Sequence, residues 1–139
     1  MIYALDSNTI SFLLRPSYNP NVVQEFEKII RQGDSYVIPA LSYYEVRWHL
    51  LRKNASAQTR LFEDLYSKSL TRVSMSESEF ILASEIKARL VAQGTPLGAR
   101  DGDIFIAAHC LINGYTLVTD NVSDFNRIGG LSIVNWKVR

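Results

Sequence analysis

Short, largely apolar segments recur along the chain, and longer segments with helical periodicity separate them. They cover residues 2–5, 36–38, 116–118 and 132–134, and a fifth candidate lies around residues 72–74. The first of these segments is apolar on both alternating faces, as expected for a strand covered by helices on both sides. Strands that alternate with helices imply a parallel sheet with right-handed crossovers. The pattern therefore predicts an α/β fold.

The segments between these strands carry apolar residues at helical spacing. Helices are predicted at residues 10–14, 22–30, 56–69 and 104–112, with two more that begin near residues 41 and 76. Ser76 and Glu79 have the spacing of a capping box, and either Asp101 or Asp103 is expected to cap the helix at 104–112. In the helix from residue 41, an apolar stripe is predicted to face the core. Its members are Leu41, Tyr44, Trp48 and Leu51.

Length and composition fit one compact domain. The chain has 139 residues, of which 47% are hydrophobic and 21% charged, with no repeat or linker, so we expect a single domain over residues 1–139. Its central parallel sheet should have about five strands with helices on both faces. One cysteine, Cys110, excludes an internal disulfide and suits a reducing compartment. No apolar run approaches membrane-spanning length, and residues 1–6 do not form a signal peptide, so a cytoplasmic protein is expected.

Acidic residues follow two of the predicted strands. Asp6 comes directly after residues 2–5, and Asp120 follows residues 116–118. Ligand sites in open parallel sheets form beyond the carboxyl ends of the strands, so these acids should share one edge. Asp103 begins an apolar helix that leads into the next strand and should face the same edge. Glu45 lies on a helix face apart from the apolar stripe.

Carboxylates that converge on one edge repel each other unless a cation neutralises them. Oxygen ligands without nearby Cys or His favour Mg²⁺, or Mn²⁺, over zinc. Such an ion would orient water and stabilise the charge that develops on a phosphoryl group. Each acid also has a purely structural alternative. Asp6 and Asp103 are good helix caps, Glu45 is an ordinary exposed helix residue, and Asp120 is a common turn residue.

Several segments resemble the PIN-domain ribonucleases, and most closely the VapC-type toxins of type II toxin–antitoxin pairs. They are LDSNTISFLL, SYYEV, DIFIAAHCLINGYTLVTDNVSDF and GLSIVNW, in the order typical of the family, from Leu5 to Trp136. The run from Asp103 to Phe125 is the most specific. The resemblance implies a single PIN-like domain with a flavodoxin-like parallel sheet. It also implies a magnesium-dependent endoribonuclease that uses metal-activated water on single-stranded RNA.

The resemblance also implies which residues of this chain form the site. The first three acids of the family motif fall on Asp6, Glu45 and Asp103, and the fourth metal ligand falls on Asp120 or on a water held by Asn121. Ser7 occupies the place of a usual threonine, while Asn8 and Thr119 match positions that support the ligands. Asp101, which precedes Gly102, is a weaker candidate for the third acid than Asp103. A cognate antitoxin that covers a hydrophobic groove, and a homodimer, are further implications of the resemblance.

Other polar and aromatic residues have weaker claims. At net charge +1, RNA contacts must come from local cations, and at least one of Arg15, Arg52 or Arg100 is predicted to contact phosphate. His49 is interpreted as a surface residue, and His109 and Cys110 as packing residues. Tyr43, off the apolar stripe, is a candidate for a partner surface.

Two other functions were compared with the nuclease. A haloacid-dehalogenase phosphatase needs a second acid where this chain has Asn8. The remaining alternative is a PIN-like module that binds RNA or a partner without cutting.

Overall fold

A computed structural model describes residues 1–70, 74–94 and 101–138. Helices and strands alternate along these residues. In chain order they are β1 (Ile2–Leu5), α1 (Ser7–Leu13), α2 (Pro20–Arg31), β2 (Ser35–Val37), α3 (Ala40–Arg52), α4 (Ser56–Ser67), α5 (Glu77–Ala92), α6 (Asp101–Asn113), β3 (Thr116–Val118), α7 (Val122–Phe125) and β4 (Ile133–Val134).

The strands form one parallel sheet in the order β2-β1-β3-β4. Tyr3 pairs with Tyr36 on one side and with Thr116 on the other, so β1 lies inside the sheet. The α/β class is therefore confirmed, but the described residues contain four strands rather than about five. Of the strand expected around residues 72–74, residues 72 and 73 lie outside the described part of the chain, and Ser74 is not in a strand.

Helices cover both faces of the sheet, as predicted. On one face, Ala4 and Leu117 pack against buried residues of α5 and α6. On the other, Leu5 and Val118 pack against buried residues of α1 to α4. Neighbouring strand residues thus enter different hydrophobic cores, which explains why these strands carry no polar face. None of the helices in the described ranges is long and apolar enough to cross a membrane.

The orientation of α3 contradicts the predicted stripe. Its buried residues are Ser42, Val46 and Leu50, at helical spacing. Tyr44 is 63% exposed, Trp48 41% and Leu51 55%. Of the predicted stripe, only Leu41 packs against a core. The prediction failed because the inward face contains the small Ser42, whereas the large apolar side chains lie on the outward face.

Tyr43, the candidate for a partner surface, is half-buried and packs against α4. Its ring packs against Tyr66 of α4, with ring centres 4.3 Å apart, and its hydroxyl donates to Glu63 Oε1 at 2.9 Å. It therefore joins α3 to α4 within the fold.

A buried polar network joins α5 to α6. Ser76 caps α5 with the predicted capping box, and Glu79, 3% exposed, also contacts His109 Nδ1 at 2.7 Å and accepts from Asn113 Nδ2 at 2.8 Å. Burial alone would raise the pKa of Glu79, but the hydrogen bonds from Ser76, His109 and Asn113 outweigh it and lower that pKa.

His109 and Cys110 are buried, as expected of packing residues. Burial raises the pKa of the Cys110 thiol to about 12, so it stays protonated.

Candidate functional site

The pairing of β1 with β3 sets Asp6 beside the end of β3. The backbone N–H of Asp6 donates to the Val118 carbonyl at 3.2 Å, which extends the sheet pairing by one residue. The Thr9 hydroxyl donates to the same carbonyl at 3.1 Å. These two bonds fix the start of α1 against the carboxyl end of β3. The predicted edge that brings Asp6 and Asp120 together is thereby present.

Asp6 caps α1 as well as facing the edge. Its Oδ1 accepts the Thr9 backbone N–H at 2.8 Å, so the capping alternative describes a real contact. This cap explains why α1 begins at Ser7, three residues before the predicted start. One carboxylate oxygen is thus committed to the helix, and Oδ2 is not part of this cap.

Asp6 is buried and electrostatically destabilised. It is 8% exposed, and burial raises its pKa from the ordinary 3.8 to about 6. The negative charge of Asp120 adds to the rise, while hydrogen bonds from Thr119 and Thr9 oppose it. The protein therefore holds a carboxylate whose ionised form would gain from a nearby cation.

Asp120 lies between α1 and the C-terminal segment. Its Oδ1 accepts from Asn8 Nδ2 at 3.5 Å, and Lys137 Nζ lies 3.7 Å from its Oδ2. Asn121 points elsewhere, because its side-chain amide donates to Asp124 Oδ2 at 3.1 Å. Between the two residues proposed for the fourth ligand, Asp120 is the one that interacts with Asp6.

Glu45 connects the starts of α1 and α6. Ser7 Oγ donates to Glu45 Oε2 at 3.3 Å. A Cβ placed on Gly102 would lie 3.9 Å from Glu45 Oε1, in ordinary van der Waals contact, so this carboxylate lies next to the first turn of α6. Asp103 follows Gly102 in that turn and is half-buried.

The two acids at the start of α6 have different surroundings. Both lie within its first turn, so neither precedes the helix as the predicted cap. Asp101 forms an ion pair with Lys87 of α5 at 2.8 Å, which directs it toward the α5 side. Asp103 therefore remains the better candidate for the acid edge.

The acids form two adjacent groups rather than a closed cage. Asp6 and Asp120 make one group, and Glu45 with the first turn of α6 makes the other. Across residues 1–70, 74–94 and 101–138, no three His, Cys, Asp or Glu side chains are close enough to hold a metal ion together.

Thr119 supports the group formed by Asp6 and Asp120 through a hydrogen bond to Asp6. It is 1% exposed, hydrogen-bonds to Asp6, and its Oγ1 accepts the Asn121 backbone N–H at 3.0 Å. The residue thus links Asp6 to the turn after β3, and it helps set the position of that turn.

A cleft of about 300 Å³ opens beside Ser7 and Glu45. Among its lining residues are three basic side chains, Arg15, His49 and Lys53. Arg15 also lies over the Tyr18 ring at 5.0 Å. Arg52 lies outside the cleft lining and over Trp48, and Arg100 falls outside the described residues. Sequence reasoning gave Lys53 no specific role, although it follows Glu45 by about two helical turns.

Comparisons of sequence and of structure with known proteins agree on one group of relatives. A family model described as "PIN domain" matches residues 3–131. The chain is 24% identical to "Ribonuclease VapC2" of Rickettsia felis over 136 residues, which is 98% of each chain. It is 25% identical to "tRNA(fMet)-specific endonuclease VapC" of Salmonella typhimurium over 134 residues, 96% of this chain and 97% of that one. A solved structure of VapBC-1 from nontypeable Haemophilus influenzae superposes with a TM-score of 0.80, at 26% identity and 98% coverage of both chains.

Proposed function

The chain belongs to the PIN-domain family, and on that premise we propose that it is a metal-dependent endoribonuclease, the toxin of a toxin–antitoxin pair. The whole of residues 1–139 would form one PIN-like domain. The relatives of matching length are named as VapC ribonucleases and as a tRNA endonuclease, which supports the reaction class. The observation that carries the proposal is the buried, destabilised Asp6 next to Asp120 at the carboxyl ends of β1 and β3.

We assign the catalytic and metal-binding roles to Asp6, Glu45, Asp103 and Asp120. The donors are all carboxylate oxygens, a set suited to Mg²⁺ or Mn²⁺, and the polar groups beside them are hydroxyls, amides and the Lys137 ammonium next to Asp120. Magnesium keeps several waters and is commonly held by only one or two carboxylates. Two adjacent acid groups therefore fit this ion better than they would fit a zinc cage.

When bound, the ion would orient a water for attack and neutralise charge that develops on the phosphate. The residues of this chain prepare the site for it. Asp6 and Asp120 supply negative charge, while Thr119 and Asn8 hold the two carboxylates in place. Ser7 fixes Glu45 through its hydroxyl. Asn121 acts through the turn that it forms with Asp124 rather than as a ligand.

At least one of three arginines was predicted to contact RNA phosphate, and the structure describes two of the three. Arg15 lines the cleft beside Ser7 and Glu45, so we propose that it contacts a phosphate next to the cleaved bond. Arg52 lies further along α3, beyond His49. The role proposed for Arg100 depends on residues outside the described ranges.

An apolar groove of about 570 Å³ lies between α1, α2 and α4 and suits an antitoxin segment. It leaves Ile30 46% and Leu61 56% exposed, and Leu13, Phe26 and Leu65 also line it. An amphipathic segment of an antitoxin would cover these side chains. Replacing Leu61 with Asp should then weaken capture of the cognate antitoxin while leaving RNA cleavage unchanged.

The outer surface of α5 and α6 is proposed as the face of a homodimer. Phe80, Ile81 and Ile112 are each 45–53% exposed there, and Phe80 contacts Phe105 of α6 edge to face at 5.3 Å. A second copy of the chain would remove this apolar area from water. If so, Phe80→Asp should halve the mass measured by sedimentation.

Cleavage of RNA in Mg²⁺, in Mn²⁺ and in EDTA tests the proposal. Cleavage should require either ion and should disappear in Asp103→Asn. The matched control is Asp101→Asn, which removes an acid from the same helical turn but one that is paired with Lys87. Equal loss in both variants would contradict the assignment. RNA binding without cleavage under any of these conditions would instead support a non-catalytic module.

A further inference from the structure

Three side chains at the C-terminal end of α3 form a stack on the protein surface. The Trp48 and His49 rings lie nearly parallel, with centres 4.2 Å apart and planes 21° from each other. The Arg52 guanidinium lies 5.2 Å from the centre of the Trp48 ring. We call these three residues the α3 stack. Trp48 is 41% exposed, whereas tryptophan is highly buried on average in folded proteins.

The α3 stack is continuous with the acid edge. His49 follows Glu45 by one helical turn, and both line the cleft that opens beside Ser7. A chain that lies in this cleft with one phosphate near Glu45 would pass the α3 stack within the next few bonds. The stack is therefore placed to contact a part of the substrate next to the site of reaction.

The charges around the stack match a polyanion. Arg15 and Lys53 line the cleft, and neither they nor Arg52 form an ion pair with any residue that the structure describes. Arg47, by contrast, is neutralised by Glu63 at 2.9 Å. Protein–protein interfaces are enriched in Trp and Arg but depleted in Lys, so it is Lys53 in the adjoining cleft that favours a polyanion over a protein partner. An exposed aromatic ring bordered by available cations instead resembles the platforms on which unpaired bases stack.

We propose that the α3 stack binds an unpaired base of the RNA substrate, while Arg15 and Lys53 bind the adjoining phosphates. This inference rests on the proposed function and names the side chains that would hold one base of the substrate. A base offers a complete π face to Trp48, whereas an exposed guanidinium interacts with it only weakly. The base therefore displaces Arg52 from the ring, and Arg52 becomes available for phosphate.

Tryptophan fluorescence tests the contact directly, because the two tryptophans differ in exposure. Trp136 is 4% exposed and Trp48 is 41% exposed, so a base that stacks on the surface affects mainly Trp48. The Asp6→Asn variant, which is expected to leave the RNA uncut, is titrated in EDTA with a short unstructured oligouridylate. Emission should fall on binding, and the fall should disappear when Trp48→Phe is added. A fall that persists in the double variant would overturn the proposal.

Inorganic polyphosphate and an RNA duplex separate stacking from charge. Both offer phosphates, but neither offers an unpaired base. They should bind without quenching Trp48. Equal quenching by polyphosphate would show that charge alone alters the emission, and it would overturn the stacking contact.

Affinity provides the second measurement. Trp48→Ala should weaken oligouridylate binding about tenfold, within the range found when a stacking ring is removed. Leu51→Ala, on the same exposed face but without a ring, should leave binding unchanged. Equal losses in both variants would overturn the proposal. So would a change of mass in Trp48→Ala with unaltered RNA affinity, because this face would then join two copies of the chain.

The outcomes also separate this inference from the proposed nuclease activity. Quenching by oligouridylate in a wild-type protein that cuts no RNA would support the α3 stack and contradict the nuclease. Metal-dependent cleavage without quenching would support the nuclease and contradict the stack.

Discussion

Asp6 and Glu79 are both carboxylates in the interior of this fold, yet their environments differ in kind. Asp6 is 8% exposed and has a pKa raised to about 6, while Glu79 is 3% exposed and has a lowered pKa. Glu79 has the Ser76 N–H, Asn113 and His109 as partners. Asp6 has hydrogen bonds from Thr9 and Thr119, but the negative charge of Asp120 acts against its ionised form.

The difference shows how a structural acid is told from a candidate catalytic one. Burial by itself marks neither, because the two residues are nearly equally buried. What separates them is whether the fold supplies enough donors to stabilise the ionised form. Glu79 is satisfied within the chain, whereas Asp6 is left with a deficit that a cation would remove.

The largest expected effect is on catalysis. Asp6→Asn should lower the rate of RNA cleavage in Mg²⁺ by about 100-fold or more, comparable to removing a main source of transition-state electrostatics. Glu79→Gln, measured below its melting temperature, should cleave at nearly the wild-type rate. If the two variants lose activity equally, the distinction between the two acids is wrong.

The second-largest effect is on stability, and it should result from replacing Glu79 rather than Asp6. Glu79→Ala should lower the free energy of unfolding by about 3 kcal/mol, because it leaves His109 and Asn113 buried without their shared partner. Urea denaturation at neutral pH measures this change. A loss below 1 kcal/mol, roughly the value of an exposed ion pair, would mean that the network is not a structural centre.

The pH dependence of stability should also differ in sign between the two acids. The folded pKa of Asp6 lies above its ordinary 3.8, so the folded state favours the proton and stability falls as pH rises from about 4 to 6. In metal-free protein at pH 8, Asp6→Asn should therefore raise the free energy of unfolding, measured by urea denaturation, by about 3 kcal/mol.

Glu79 gives the reverse profile. Its pKa is lowered, so its contribution is present above the unfolded pKa and is lost as pH falls through the folded value. The difference in unfolding free energy between wild type and Glu79→Gln should shrink in acid. A difference that stays constant down to low pH would contradict the lowered pKa.

The smallest expected effect is the stabilisation by metal. Mg²⁺ at ten times its dissociation constant should add about 1.4 kcal/mol to the unfolding free energy of the wild type. Asp6→Asn should show almost none of this gain, while Glu79→Gln should keep it. Calorimetry with and without EDTA measures the difference, and equal gains in all three proteins would place the ion elsewhere.

Much of the fold was predictable because its signals are local. The apolar strand before Asp6, the capping box at Ser76 and the strand before Thr119 each lie within a few neighbouring residues. The orientation of α3 was not predictable in this way. Its inward face includes Ser42, and its outward face has Tyr44 and Trp48, so a rule based on apolar size selects the wrong side.

The candidate site also has some features that the sequence predicts and others that depend on how distant elements pack. Strand-end logic places Asp6 and Asp120 together because the pairing of β1 with β3 follows from the parallel sheet. The contact of Ser7 with Glu45 depends on how α3 packs against α1, which no local pattern reveals. Likewise, Glu79 and His109 are 30 residues apart, and neither residue alone indicates the other.

The cap that Asp6 places on α1 bears on how such a protein can evolve. Asparagine caps a helix about as well as aspartate, so one substitution can remove the charge while it keeps the hydrogen bond to Thr9. If Asp6 has the catalytic role proposed for it, a descendant with that change would lose RNA cleavage while keeping its fold, its groove and its cleft. On the proposed function, such a descendant would still occupy the proposed partner or RNA, one substitution away from the cleaving form.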